Sequence, residues 1–283
     1  MLRILAATRC GAAGQSPSPA PRLSEVARIS GRAVVIKVGG AAAAEAAPVL
    51  DLVAARFVTG DAFVIVHGGG PLVGEWSKRL GAEPRFEAGL RVTDEPTRDV
   101  ALAVLAGLAN KRLVAALADR RVDAVGVSGV DAGLVVADRA EPALGLVGRV
   151  RAIRPKLIEA LLDARFVPVV APAARDERGV LVNVNADEVA GALSAGIGAR
   201  LLVFVTDVAG VRDRSGNVVT RLDADAIRKL RDDGVVSGGM IPKLEGALVA
   251  AADGCVAAIV RATDRAGLEA LVDGREAGTM VRA

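Results

Sequence analysis

From Arg32 onward the chain alternates two patterns of apolar and polar positions. Short runs rich in β-branched residues fall at 33–38, 62–67, 122–127, 167–171, 201–206 and 255–260. They are apolar on both faces, as strands buried between two layers must be. Longer Ala- and Leu-rich stretches near 46–58, 72–80, 95–119, 155–164, 186–196, 224–232 and 241–252 carry helical period. Strand–helix alternation of this kind predicts an α/β fold, a three-layer αβα sandwich around a mostly parallel central sheet. Two pieces interrupt it. Segments 134–138 and 146–153 read as a hairpin, and Asp176-Glu177-Arg178-Gly179 reads as a tight turn feeding 180–184.

Parallel sheets collect ligands at the carboxyl ends of their strands, and four strand ends here carry unusual residues. The first closes Ile36-Lys37-Val38-Gly39-Gly40. Its glycines let the backbone approach an anion ahead of a helix N-terminus, with an ammonium one pleat back. An ordinary strand-to-helix turn beside a surface lysine is the plainer alternative. The second closes Val66-His67-Gly68-Gly69-Gly70-Pro71, another cradle for phosphate or carboxylate. His67 is the single histidine and sits inside a buried run, where it reads as a hydrogen-bonded structural residue rather than a general base. The third is Asn183-Val184-Asn185-Ala186-Asp187, two amides and a carboxylate at alternate positions that share one side of a strand. A helix cap or first-turn position is the plainer role for Asp187. The fourth couples Thr206-Asp207 to Gly238-Gly239-Met240-Ile241-Pro242-Lys243. The helix dipole disfavours a lysine in a first turn, so Lys243 there suits an anionic ligand.

Composition narrows the chemistry. None of the glycine runs is a Walker loop or a dinucleotide fingerprint. One histidine, and two cysteines (Cys10 and Cys255) in no metal-ligand spacing, leave little for a zinc site or a His-based triad. They fit a reduced, cytoplasmic setting. Aromatic residues make up 2% of the chain and the net charge is only +3, so neither stacking platforms nor a dense basic face point to nucleic acid. No uninterrupted apolar run reaches the ~18–20 residues of a membrane span. The first 24 residues hold Arg3, Arg9 and Arg22, no acid and a Ser/Pro stretch. Residues 1–31 are therefore expected to form a disordered or leader-like tail.

Taken together and in order, seven segments resemble the amino acid kinase family over about 250 residues, 32–283. They are Ile-Lys-Val-Gly-Gly (36–40), Val-His-Gly-Gly-Gly (66–70), Gly-Leu-Arg-Val-Thr-Asp (89–94), Ala-Asn-Lys-Arg-Leu (109–113), Asn-Val-Asn-Ala-Asp (183–187), Thr-Asp-Val-Ala-Gly-Val (206–211) and Gly-Gly-Met-Ile-Pro-Lys (238–243). The segment 89–94 is most similar to the branch that acts on N-acetyl-L-glutamate. The resemblance implies the amino acid kinase fold, with 32–171 as a substrate-binding lobe and 172–283 as a nucleotide-binding lobe of one continuous sheet. It implies transfer of the γ-phosphoryl group of ATP to the side-chain carboxylate of N-acetyl-L-glutamate, a step of arginine biosynthesis. Mg²⁺ would arrive with ATP, held by phosphate oxygens and water rather than by a protein site.

The resemblance also implies roles. Lys37 and Lys243 neutralise charge on the transferred group, and Asp187 holds both. Gly39, Gly40, Gly69 and Gly70 donate backbone N–H groups to phosphate and to the reacting carboxylate. Arg91 pairs with the substrate α-carboxylate, Asn183 and Asn185 bind the acylated amino acid, and Asp207 and Gly239 lie on the nucleotide side. A carboxylate is already a nucleophile at neutral pH, so no general base is needed, and catalysis rests on alignment and charge.

Two departures qualify the likeness. The run 41–44 is all alanine where many relatives carry polar residues, and 23–29 offers about two helical turns where arginine-inhibited, hexameric relatives carry a long N-terminal helix. A homodimer not inhibited by arginine is the expectation, with 95–119 as a candidate interface. Three rivals stand beside the main reading. One is a sister kinase acting on aminoadipate or glutamate blocked by a carrier protein. Another is a catalytically silent amino-acid or nucleotide sensor, which the presence of Lys37, Lys243 and Asp187 disfavours. The third is a nucleotide or carbamate kinase of the same fold, which the Arg91 segment disfavours.

Overall fold

The computed structural model describes residues 31–39, 46–81, 83–87 and 90–283. The tail expected over 1–31 (Gly31 apart), Gly40 and the alanine run 41–44 lie outside the described residues. In chain order the elements are β1 (Val34–Val38), α1 (Ala47–Val58), β2 (Phe63–His67), α2 (Gly70–Arg79), β3 (Phe86–Glu87), β4 (Leu90–Arg91) and α3 (Glu95–Ala118). There follow β5 (Ala124–Ser128), β6 (Val135–Arg139), β7 (Val147–Ile153), α4 (Lys156–Asp163), β8 (Val167–Ala171), β9 (Ala173–Asp176) and β10 (Leu181–Val184). The chain closes with α5 (Ala186–Gly196), β11 (Leu201–Thr206), β12 (Arg221–Leu222), α6 (Ala224–Asp232), α7 (Met240–Ala252), β13 (Val256–Arg261), α8 (Arg265–Val272) and β14 (Thr279–Val281).

The main sheet runs β12-β14-β13-β11-β1-β2-β8-β5. Its six strands from β13 to β5 are parallel, and β14 lies antiparallel to β13. Each face has its own core. On one, Val34, Ile36 and Val38 pack with Val49 and Val53 of α1, Leu117 of α3 and Leu268 and Leu271 of α8. On the other, Ala33 and Val35 pack with Leu162 of α4, Leu193 of α5 and Leu244 and Ala247 of α7. Three layers result, as the two-sided apolar runs require. The alternation of β1 also sends Lys37 to the side of Ala33 and Val35, hence toward α5 and α7. Register aligns the strand ends. Val38 pairs with both His67 and Val205, so the loops after β1, β2 and β11 leave the sheet at one level.

Beside this sheet, β10, β7, β6 and β9 close on themselves. The expected 134–153 hairpin is their β6–β7 pair. Their β9 and β10 continue directly from β8, so strands from both sides of residue 171 share the small closed sheet. Six elements have no counterpart in the sequence pattern: β3, β4, β9, β12, α8 and β14. Five of these are strands of two to four residues, too short to show a period. By length and apolar composition α3 could cross a membrane. Here it packs against the protein through Val104, Leu105 and Leu117, and its stretch 103–109 winds as a π-helix.

Candidate active site

Three charged side chains meet above the carboxyl ends of β1 and β11. Asp187 lies in the first turn of α5 and is buried. Its Oδ1 is 2.7 Å from Lys37 Nζ and its Oδ2 is 3.5 Å from Lys243 Nζ. Lys243 also donates to the Gly239 carbonyl at 2.9 Å, which folds it back over its own helix start. Two cations on one anion leave a net positive charge in a largely buried site, which an anionic ligand would neutralise. Burial pulls the Lys37 ammonium below its usual value, Asp187 opposes that, and Lys243 adds to the lowering.

The carboxylate is placed by backbone contacts. Asn185 caps α5, its Oδ1 accepting from the Asp187 and Glu188 N–H groups at 2.7 and 3.4 Å. The expected sharing of one strand face therefore stops at Asn183, since Asn185 has left the strand and Asp187 stands on a helix. The cap is Asn185, and Asp187 stands in the first turn, the second of its two plainer roles. Helices α5 and α7 then touch backbone to backbone. A Cβ on Gly191 would lie 2.7 Å from Gly246 Cα, and one on Gly246 would lie 2.6 Å from the Asp187 carbonyl. Only glycine permits that approach, which brings Lys243 within reach of Asp187. The sequence reading passed over both glycines.

A cavity of about 300 Å³ opens beside the triad, within the range of small-ligand sites. Lys37, Asp187, Asn183, Asn185, Gly69, Gly70 and Arg91 all border it. Helix α2 begins at this cavity with Gly69 at its cap and no side chain capping it, which leaves backbone N–H groups for a ligand. Arg91 crosses the mouth from β4. Its Nη2 donates to the Gly70 carbonyl at 2.9 Å and the guanidinium stacks 4.8 Å from the Phe86 ring centre. Its Nη1 is buried with no hydrogen-bond partner among the described residues. The rest of that segment is scaffolding. The Thr93 hydroxyl donates to the Arg91 carbonyl at 2.8 Å, and Asp94 caps α3 by accepting from Thr97 N–H.

A second, larger groove of about 680 Å³ runs along α7 from Gly238 and Gly239 to Val249 and shares Asn185 and Asp187 with the first. Helix α7 starts at Gly239, again without a side-chain cap. Gly39 follows β1 beside the Val205 carbonyl, 3.4 Å from its N–H. Asp207 stands exposed at the end of β11, accepts from the Thr206 hydroxyl at 2.8 Å, and lines neither cavity. Gly40 lies outside the described residues. Among the described residues, no three His, Cys, Asp or Glu side chains gather to hold a metal ion. The donor set of ammonium, guanidinium and N–H groups suits phosphate and carboxylate.

His67 is buried and hydrogen-bonded, with Nδ1–H donating to the Gly68 carbonyl at 2.9 Å and Nε2 accepting from the Asn110 amide at 3.2 Å. Burial holds its imidazole below the usual 6.5, the Gly68 contact opposes this, and Lys37 reinforces it. The unfolded chain therefore binds an extra proton below 6.5, and stability should fall as pH drops through that window. Urea unfolding at about pH 7.5 and about pH 5.5 checks this, with wild type losing more stability than His67→Asn. The comparison cancels Glu188, whose carboxyl is pushed up by burial and acts in the opposite sense. Equal losses would mean His67 titrates as it does in the unfolded chain.

The family model for the amino acid kinase family matches residues 32–262. The chain belongs to that family. Relatives similar over most of their length include the acetylglutamate kinase of Methanopyrus kandleri, 45% identical over 258 residues that cover 88% of this chain and 99% of the relative. The acetylglutamate kinase of Geobacillus kaustophilus is 45% identical over 225 residues, 79% of this chain and 87% of the relative. Among solved structures, a Streptococcus mutans protein superposes with a TM-score of 0.78 at 28% identity, over 89% of this chain and 98% of that one. A Giardia lamblia carbamate kinase bound to AMP-PNP superposes with a TM-score of 0.67 at 20% identity, covering 89% and 98%, a likeness of fold alone. The expected amino acid kinase fold and kinase class are thus both found.

Proposed function

We propose that the protein transfers the γ-phosphoryl group of ATP to the side-chain carboxylate of N-acetyl-L-glutamate, in arginine biosynthesis and in the cytoplasm. The observation that carries this reading is that Lys37 and Arg91 border one 300 Å³ cavity, and that the Arg91 Nη1 has no hydrogen-bond partner among the described residues. A ligand with two carboxylates answers both. One takes the guanidinium fork, the geometry arginine favours, and the other is held for reaction near Lys37. The relatives' similarity selects N-acetyl-L-glutamate among such ligands.

In the reaction a carboxylate oxygen attacks the γ-phosphorus, the bond to the β-phosphate oxygen breaks, and ADP leaves with that electron pair. No proton moves, which suits a site whose one histidine is neutral and engaged. Lys37 and Lys243 flank the point where charge is redistributed, and Asp187 keeps them there before the substrate arrives. Fixed charges in a water-poor pocket need no reorganisation during transfer. The uncapped starts of α2 and α7 add N–H donors, Asn183 borders the acyl side of the cavity, and Asp207 is assigned to the nucleotide. Mg²⁺ would be carried on the ATP phosphates, with its remaining ligands from water.

A homodimer fits the surface of α3, whose most apolar window is only about a third buried within one chain. The function test traps acyl phosphate with hydroxylamine, using ATP–Mg²⁺ and N-acetyl-L-glutamate, N-acetyl-L-aspartate, free glutamate or N-acetyl-aminoadipate. Hydroxamate is expected with N-acetyl-L-glutamate and should vanish in Lys243→Ala. Turnover with none of the free substrates, despite ATP binding, would transfer the assignment to the carrier-protein kinase or the sensor.

A further inference from the structure

The phosphoryl transfer uses neither His67 nor Asn110, yet both are buried under the loop that forms the glycine cradle. We propose that His67 and Asn110 are positioning residues, a hydrogen-bonded relay that fixes the Gly68–Gly70 cradle, and that the π-helical stretch of α3 is what delivers Asn110 to it. The inference rests on the cradle being part of the substrate site.

The relay begins in α3. Asn110 is fully buried, and its amide reaches three acceptors: His67 Nε2 at 3.2 Å, the Val169 carbonyl at 2.8 Å and the Val127 carbonyl at 3.4 Å. It thus ties the end of β2 to the middle of β8 and to β5. Accepting at Nε2 leaves the proton on Nδ1, which donates to the Gly68 carbonyl. The Gly68 N–H meanwhile donates to the Val38 carbonyl at 2.9 Å, so that residue is held from both sides. Peptide units are planar and trans, so pinning the Gly68 carbonyl to the histidine aims the Gly69 N–H the opposite way. Gly69 borders the substrate cavity.

The same helix presses on the loop from a second point. A Cβ on Gly69 would lie 2.6 Å from Leu105 Cδ2, so Leu105 fixes how far the loop can sink. Residues 105 and 110 are joined by an i→i+5 bond, from Asn110 N–H to the Leu105 carbonyl. In a plain α-helix, positions five apart diverge by about 140°. The wider π turn brings both onto the cradle side, a common use of such turns at functional sites.

Two substitutions at His67 separate the relay from simple core filling. The asparagine amide in His67→Asn stands where Nδ1–H does and can hold the Gly68 carbonyl. The longer glutamine in His67→Gln reaches toward Asn110 instead. Backbone exchange of 66–73, measured by mass spectrometry on the ligand-free enzyme, is expected to quicken about tenfold in His67→Gln and in Asn110→Ser, and only about threefold in His67→Asn, which loses the Asn110 contact and keeps the Gly68 one. The ratio kcat/KM for N-acetyl-L-glutamate should fall about 10²-fold in the first two and less than about threefold in the third. Equal damage from asparagine and glutamine, or unchanged exchange in His67→Gln, would overturn the relay. Exchange is read without substrate, so absent turnover in wild type would sink the kinase reading while exchange still decides the relay.

Discussion

Asp187→Asn should reduce kcat for acyl phosphate formation about 10³-fold, at the upper end of what a single preorganised electrostatic contact contributes. Asparagine preserves the shape of the side chain and leaves the Asn185 cap intact, since the cap takes the backbone N–H of residue 187. What disappears is the negative charge between Lys37 and Lys243. The two ammonium groups then face one another with no charge between them and are driven apart. KM for N-acetyl-L-glutamate should change far less than kcat, because Arg91 and the cradle are untouched. Steady-state kinetics with hydroxylamine trapping reads both constants. A variant with wild-type kcat would remove Asp187 from the charge geometry of transfer.

Arg91→Lys should act on the other constant. Arg91, which borders the cavity, spends one nitrogen on the Gly70 carbonyl and keeps a second with no hydrogen-bond partner among the described residues. A lysine supplies one point charge and cannot serve both directions or stack its plane over Phe86. KM for N-acetyl-L-glutamate should rise about 10²-fold, the cost of truncating one side of a desolvated charge pair, with KM for ATP nearly constant. If KM for ATP rose instead, Arg91 would belong to the nucleotide side.

These two residues also show what the sequence could and could not convey. The six parallel strands were legible because burial on both faces leaves no polar alternation, although β5 at the sheet edge is only half-buried, and Lys37 stood out as the one ammonium in such a run. Asp187 and Lys243 were legible as residues at glycine-flanked helix starts. Their meeting was not, because it depends on α5 and α7 touching through Gly191 and Gly246, and close contact between distant helices leaves no local pattern. Asn185 was misplaced for a related reason. Alternation predicts a shared face only while a strand continues, and the chain turns into α5 at that residue. Asn110 was within reach, as a lone amide in the apolar part of a helix. The π winding that turns it inward has no signature in spacing. The antiparallel edge of β12 and β14 consists of segments too short for periodicity to register.

The π-helical stretch of α3 has a consequence for how this sequence can change length. Substitution along 103–109 alters one side chain at a time. Removing a single residue between Leu105 and Asn110 would leave them four apart, about 40° in ordinary α winding, so the helix absorbs the loss by giving up its π turn and Asn110 keeps facing His67. A residue added there, with the π turn already taken, would rotate all of α3 beyond it by about 100°. Asn110 would swing off His67, Leu117 would leave its core, and the apolar stripe assigned to a second copy would turn to a new bearing. Three surfaces are keyed to one surplus residue, so 103–109 is a stretch where shortening by one is tolerable and lengthening is not.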